Sequence, residues 1–354
     1  MDAIKKTKVT ETVKRIIGIV IIPLLTFIFM EIACLGNGTS LFANIGSTTQ
    51  IFFRGIAIVL LLAFGVSINM HTGRFDFSTG AVMLIGGVVG AKLAVAMNAG
   101  PAVMILISAI TGALVGCITG ILYVLLKLPP MIIGLGMTLI LEGITAIISD
   151  GCQPVNFGTD TSYFSFATNI PALITIILIA LAFMIIIFHF TKFGYDYRAL
   201  QTGQKIAVNT GVNEKLNAII CYTISGFMFG ISGALTIMRS NGVTPTINFS
   251  TIGSMFSCFL PLFFAGFINK YTNKQISILL GCIAYEFIQI GFGQITSVNT
   301  SFSVEIRSVV EAIILVGFLI YVNNETPIVE FVLLKKWRAK LKEKKAAEAN
   351  GSNE

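Results

Sequence analysis

Ten long apolar runs, joined by short connections, dominate this chain; their limits fall near residues 16–35, 51–70, 79–97, 101–126, 129–148, 171–190, 217–238, 251–269, 275–292 and 304–322. A helix needs roughly 20 apolar residues to cross the hydrocarbon of a bilayer. Inside that hydrocarbon every backbone N–H and C=O must pair within the protein, which leaves helices or closed barrels. Barrel strands read as short alternating segments, whereas these runs are continuous, so the spans are helices. The expected fold class is an all-α integral membrane protein of about ten transmembrane helices. Composition closes the soluble alternative: charged residues make up 12% of the chain and mean hydropathy is +0.87, against about 25% charge in an ordinary soluble domain.

The net charge of +7 would suit nucleic acid only if the basic residues formed one surface. They lie instead between the apolar runs, where the positive-inside rule accounts for them, so no nucleic-acid partner is expected. With the N-terminus in the cytoplasm, 20 of the 24 Lys and Arg residues fall on or near the cytoplasmic side, the exceptions being Arg54, Lys92, Arg239 and Arg307. Both termini are then cytoplasmic, in a multi-pass protein of the cell membrane. The first run, behind Lys5, Lys6, Lys8, Lys14 and Arg15, is too long for a signal peptide and lacks a small-residue cleavage site after it, so it reads as a retained helix. Residues 1–322 are expected to form one transmembrane domain and 323–354 a basic cytoplasmic tail. The six cysteines are scattered through apolar runs, with no CxxC and no Cys/His cluster, which predicts neither a disulfide framework nor a metal site. No P-loop or catalytic motif is present, so no cofactor is expected, and any ATP used must be hydrolysed by another chain.

The most informative stretch joins the second and third runs without a hydrophilic loop: Asn69-Met70-His71-Thr72-Gly73-Arg74-Phe75-Asp76-Phe77-Ser78-Thr79-Gly80. Charges at membrane depth face a cavity or a partner, and broken backbone is tolerated there only where it lines a cavity or is buried in protein. Two readings stand: a re-entrant or broken element beside a translocation path, with Asn69, His71, Arg74, Asp76 and Ser78 facing it, or a short turn closed by an Arg74–Asp76 pair. Phe77-Ser78-Thr79 opens the third run and Phe249-Ser250-Thr251 the eighth, the placement that two inverted five-helix repeats would give, although three residues also match by chance. Glu286 and Gln289, three apart on one helix face, are further candidates for the path, or else packing features, as are Glu142 and Glu311. His71 reads as a hydrogen-bonded turn residue rather than a proton relay. Gly112, Gly116 and Gly120 recur every fourth position, a stripe for close helix packing.

The stretch Thr72–Gly80 resembles the Gly-Gly-Ile-Asp-Leu-Ser-Val-Gly element of ribose- and galactoside-type ABC permeases, with Asp76, Ser78 and Gly80 in matching places. Further similar segments follow in order: Leu128-Pro129-Pro130 through Met137, Phe193-Gly194, Ser225-Gly226, Ser232-Gly233-Ala234, and Val309-Val310-Glu311 through Leu315. The resemblance covers roughly residues 50–320 and implies the permease subunit of a bacterial ATP-driven importer for a simple sugar or sugar-like solute. Its implied partners are a cytoplasmic ABC ATPase, an external solute-binding protein and a second permease, identical or closely related. In the basic loop 191–216, Gln204–Val212 is similar to that family's coupling helix. Ala207 and Gly211 match it, whereas Lys205 and Ile206 replace its Glu and Ala; Gly203, Lys205, Ala207, Gly211 and Val212 are the expected contacts to the ATPase, against the plainer reading of a solvated loop. Arg74 and Phe75 depart from the family pattern, as does Glu311, which stands where it has Lys. The alternatives are an ion-coupled secondary transporter using Asp76 and Glu286, an ABC permease for a nucleoside-like solute, and an intramembrane enzyme, which the lack of HExxH and GxSxG motifs disfavours.

Overall fold

The computed structural model describes residues 2–298 except Thr159, and beyond them only Val309, Ala312, Ile313 and Val316, which are helical. The tenth expected span, its Glu311, the exception Arg307 and the tail 323–354 lie outside the described residues. The chain divides into units at residues 1–301 and 302–354, and the first carries the architecture below.

Nine helices among the described residues are long and apolar enough to cross a membrane. In chain order the elements are α1 (Asp2–Gly36), α2 (Ile45–Met70), α3 (Thr79–Ala96), α4 (Pro101–Leu126), α5 (Pro130–Ile148), β1 (Val155–Asn156), α6 (Ser162–Thr168), α7 (Ile170–Phe190), α8 (Lys192–Thr202), α9 (Gln204–Asn209), α10 (Glu214–Ser240), β2 (Gly242–Val243), a one-turn 3₁₀ helix (Ser250–Ile252), α11 (Gly253–Phe256), α12 (Phe259–Ile268) and α13 (Lys274–Val298). The punctuation follows local chemistry. Pro101 opens α4 and Pro130 opens α5, where a missing N–H costs nothing. The side chains of Asn169, Thr191 and Asn213 accept backbone N–H groups at the starts of α7, α8 and α10, as caps do.

The eighth expected span, 251–269, is broken into the 3₁₀ turn, α11 and α12. The expected external segment 149–170 contains α6 and the two-residue β1, which pairs antiparallel with β2 beside the end of α10. Tyr163 of α6 stacks on Phe157 at 4.2 Å and donates to the Ala99 carbonyl, closing this end of the bundle.

Burial sorts the spans. In α2, 78% of the most apolar window is buried, whereas α1 shows 11% and α7 22%; α2 is therefore central, and α1 and α7 offer their sides to lipid. Helix α10 packs against α2 and, on its other sides, against α3 and α4, in a seam where glycines bring backbones together. A Cβ on Gly112 would lie 2.2 Å from the Gly226 carbonyl oxygen, and one on Gly230 2.1 Å from that of Ser108. The stripe Gly112, Gly116, Gly120 is thus the α4 face of the α4–α10 contact, the small-residue packing that helices in lipid use. All six cysteines are free thiols.

Candidate functional site

The polar stretch after α2 forms a tight, partly buried turn that feeds directly into α3. Asn69, Arg74, Asp76 and Ser78 are buried, while His71 is exposed and its Nδ1–H donates to the Ser67 carbonyl at 2.8 Å. The Arg74–Asp76 pair of the second reading does not form. The guanidinium of Arg74 donates to Thr72 Oγ1 and lies 5.8 Å from the ring centre of Tyr123. Asp76 turns instead onto its own helix start: Oδ1 accepts the Ser78 N–H at 2.9 Å, Oδ2 the Ser78 hydroxyl at 2.9 Å, and its carbonyl accepts Thr79 Oγ1. The carboxylate thus satisfies the N–H of Ser78, the residue that precedes α3. Burial pushes the Asp76 carboxyl above the ordinary carboxylate range, with the Ser78 hydrogen bonds pulling the other way.

A second turn mirrors the first. Asn248 and Phe249 adopt left-handed backbone, φ 67° and 62°, a conformation costly for residues with a Cβ. What holds them is Glu142 of α5, only 1% exposed. Its Oε2 accepts the Phe249 N–H at 2.9 Å, and its Oε1 accepts the Thr251 N–H at 2.9 Å and hydroxyl at 2.7 Å. Neighbouring N–H groups in such turns make an anion-binding concavity, here filled by a side chain of the same protein.

Helix α5 serves both turns from a single stripe. Gly134, Thr138 and Glu142 are spaced four apart and so share a face. A Cβ on Gly134 would lie 2.5 Å from Asp76 Oδ1, and Thr138 donates to the Phe77 carbonyl at 3.2 Å. The two turns also touch each other: a Cβ on Gly80 would lie 1.9 Å from the Thr251 carbonyl oxygen. Phe75 packs on Phe259 of α12, joining the first turn to the element after the second. The Phe-Ser-Thr pair flagged the second turn in the sequence; nothing there pointed to Glu142 as its anchor.

The structure brings Asn69, Arg74 and Asp76 to one spot, with Val66 and Met255, and leaves no room for a water molecule among them. Glu286 lies elsewhere. It is buried on α13 against Gly55 of α2, about 20 Å along α2 from Asn69 at 1.5 Å per residue. Gln289 is one turn further along α13 and half-buried. Arg54 lies within electrostatic reach of Glu286 and of Arg239, and Lys92 pairs with Asp150 at 2.8 Å; three of the residues that break the charge asymmetry thus have acidic groups at hand or share the neighbourhood of one.

The loop 191–216 folds as α8 and α9. Ala207 is buried; Lys205, Ile206 and Val208 are exposed, with Ile206 at 72%. Gly203 precedes α9, and Gly211 follows it at φ 96°, where any side chain would be strained. Val212 N–H closes the turn on the Ala207 carbonyl at 3.1 Å.

Comparison with known proteins places the chain in a family. A family model described as "Branched-chain amino acid transport system / permease component" matches residues 48–319. The chain is 29% identical to the galactofuranose transporter permease protein of Escherichia coli over 280 residues, 78% of this chain and 79% of the relative. It is 30% identical to the galactose/methyl galactoside import permease protein of the same organism over 54% of this chain and 63% of the relative. With the ribose import permease protein of Bacillus subtilis the identity is 27% over 54% of this chain and 61% of the relative, so the chain spans less than two thirds of the length of these last two. The chain therefore belongs to this permease family, as a multi-pass membrane component of an ATP-binding-cassette transport system in the bacterial cell membrane.

Proposed function

We propose that this permease imports a sugar or sugar-like solute into the cytoplasm. The observation that carries the reading is the alignment with galactofuranose, galactoside and ribose permeases, although the family as a whole is described by branched-chain amino acids. The solute path is assigned to the two turns gathered by α5. Asn69, Arg74, Asp76 and Ser78 line or orient it at the first turn, and Glu286 and Gln289 border it on α13; His71, exposed and bonded to Ser67, marks its mouth. The permease supplies a path and no covalent chemistry. Two copies, or this chain and a close relative, form the pore, and an external binding protein delivers the solute.

Energy enters through α9. Ile206 and Val208 leave apolar surface in the open on a basic loop, which suits a partner that buries it. Gly203, Lys205, Ala207, Gly211 and Val212 shape and present that helix to a cytoplasmic ATPase; on this reading α8, α9 and both termini lie on the cytoplasmic side.

The test is uptake by cells carrying this permease with an ATPase and a binding protein, using radiolabelled galactose, ribose, leucine and uridine. Accumulation of a sugar that is ATP-dependent and survives collapse of ion gradients is expected. Uptake of leucine or uridine alone would replace the solute, and uptake that vanishes with the ion gradient would sink the ATPase reading. Ile206→Lys changes an exposed side chain, so the folded state should shift by no more than about 0.5 kcal/mol while uptake is lost and the solute-stimulated ATPase falls to its basal rate. Full uptake by that variant would remove α9 from the coupling role.

A further inference from the structure

A second polar site sits where α7 ends, against the end of α2 from which the first turn departs. His189 of α7, Tyr197 and Arg198 of α8, Ile68 at the end of α2, and Lys274 and Gln275 of α13 help enclose a cavity of about 100 Å³. Its walls are largely apolar, yet residues that line it carry buried polar atoms without hydrogen-bond partners among the described residues. Gln275 is only 5% exposed, and its Oε1 lacks a hydrogen bond; buried Nδ1 of His189 lacks one as well. A buried polar group left unsatisfied costs about 1–3 kcal/mol, so such groups in a native fold mark a place that something else fills.

Charge says what fills it. Lys274 sits with its ammonium 5.7 Å from the ring centre of Tyr197, and Arg198 is 4.7 Å from that of Tyr195. Neither cation has a carboxylate within ion-pairing distance among the described residues. Lys274 is also the first residue of α13, whose N-terminal amides and dipole favour an anion at that end. The ligand must therefore present negative charge to the two cations and hydroxyl groups to Gln275 and His189.

The surroundings say where it comes from. Helix α7 is the lipid-facing span that supplies one wall, and Ile186 and Phe190 beside that wall are 55% and 76% exposed. A volume of about 100 Å³ admits a small polar head and leaves acyl chains to lie along α7. Basic pockets between transmembrane helices near one membrane surface take anionic lipid heads. We infer that the cavity between α7, α8 and α13 binds the hydroxylated, anionic headgroup of a phospholipid of the phosphatidylglycerol class. Through Tyr197, whose hydroxyl donates to the Ile68 carbonyl at 3.0 Å, an occupied cavity braces the end of α2 from which the first turn departs. The site stands whichever solute is carried and whichever face is cytoplasmic.

The experiment uses the full chain in nanodiscs of phosphatidylcholine with a minor fraction of photoactivatable phosphatidylglycerol. Labelling is mapped by peptide mass spectrometry and normalised to monodisperse protein. The wild type should label on the α7–α8 and α13 N-terminal peptides, in preference to a photoactivatable phosphatidylcholine probe. Arg198→Gln, an exposed change that keeps the fold, should lower labelling about fivefold, and Lys274→Gln with Arg198→Gln about twenty-five-fold, at about 1 kcal/mol per cation. Gln275→Leu should lower it without altering the charge. Lys215→Gln, another basic change in the same loop, should leave it unaltered. Equal labelling by the neutral probe, unchanged labelling in Arg198→Gln, labelling confined to other helices, or full displacement by millimolar glycerol phosphate in solution would each overturn the lipid assignment.

Discussion

The two turns that meet at α5 solve one problem in opposite ways. In each, a chain leaving one apolar helix stops being helical and restarts, leaving N–H groups to satisfy. At the first turn the acceptor is local: Asp76 bonds the N–H and hydroxyl of Ser78, two residues on. At the second it is remote: Glu142 bonds Phe249 and Thr251 across more than a hundred residues. A local anchor keeps its turn whatever its neighbours do. A remote anchor makes the turn's geometry depend on where another helix sits, and the left-handed Asn248 and Phe249 persist only while α5 is in place.

That contrast predicts unequal damage. Glu142→Leu strips the second turn of its only described acceptor and leaves buried N–H groups open, and should destabilise the protein by about 3–5 kcal/mol, read as a fall in thermal midpoint in detergent and in the amount of inserted protein. Glu142→Gln keeps an acceptor and should cost clearly less; equal losses would mean that the charge rather than the hydrogen bonding does the anchoring. Next in size is Gly80→Ala. Its methyl meets the backbone of Thr251, which has no side-chain freedom to yield, so about 1–3 kcal/mol is expected. Unchanged stability would show that the two turns are free to part and that their contact constrains little.

The smallest effect on folding belongs to the local anchor. Asp76→Asn keeps an oxygen for Ser78 and should cost about 1 kcal/mol, yet, if the proposed path runs past this turn, uptake normalised to inserted protein should fall sharply. Since Arg74 engages Thr72 and Tyr123, Arg74→Gln combined with Asp76→Asn should be additive in stability within about 0.5 kcal/mol and should not restore uptake. Recovery of uptake in the double variant would revive the ion pair that the geometry lacks.

The same contrast governs what was legible in the sequence. Long apolar runs gave the spans, since hydrophobic length is a one-dimensional property. The first turn was visible because polar residues crowd a junction of about eight residues, and because its anchor sits in the same motif. The missing ion pair was not, since adjacent opposite charges look alike whether or not they touch. The break inside the eighth span was hidden: Ser257 and Cys258 lie in apolar sequence, and the nearest proline, Pro261, is inside α12. Glu142 was noticed only as a carboxylate at depth, because its partners are set by tertiary placement. The glycine stripe of α4 announced close packing, but only its partner α10, with Gly226 and Gly230, says against what.

That stripe bears on how a permease of this kind can move. Where side chains separate two helices, rotamer changes let one slip past the other by small steps. Between α4 and α10 main chain rests on main chain, and nothing soft lies between to absorb a displacement. Sliding there would need the helices to lift apart first. Alternating access is then best served by leaving α3, α4 and α10 as one block and letting the helices around it do the travelling, with the strained Asn248–Phe249 corner as the joint where that block meets moving chain.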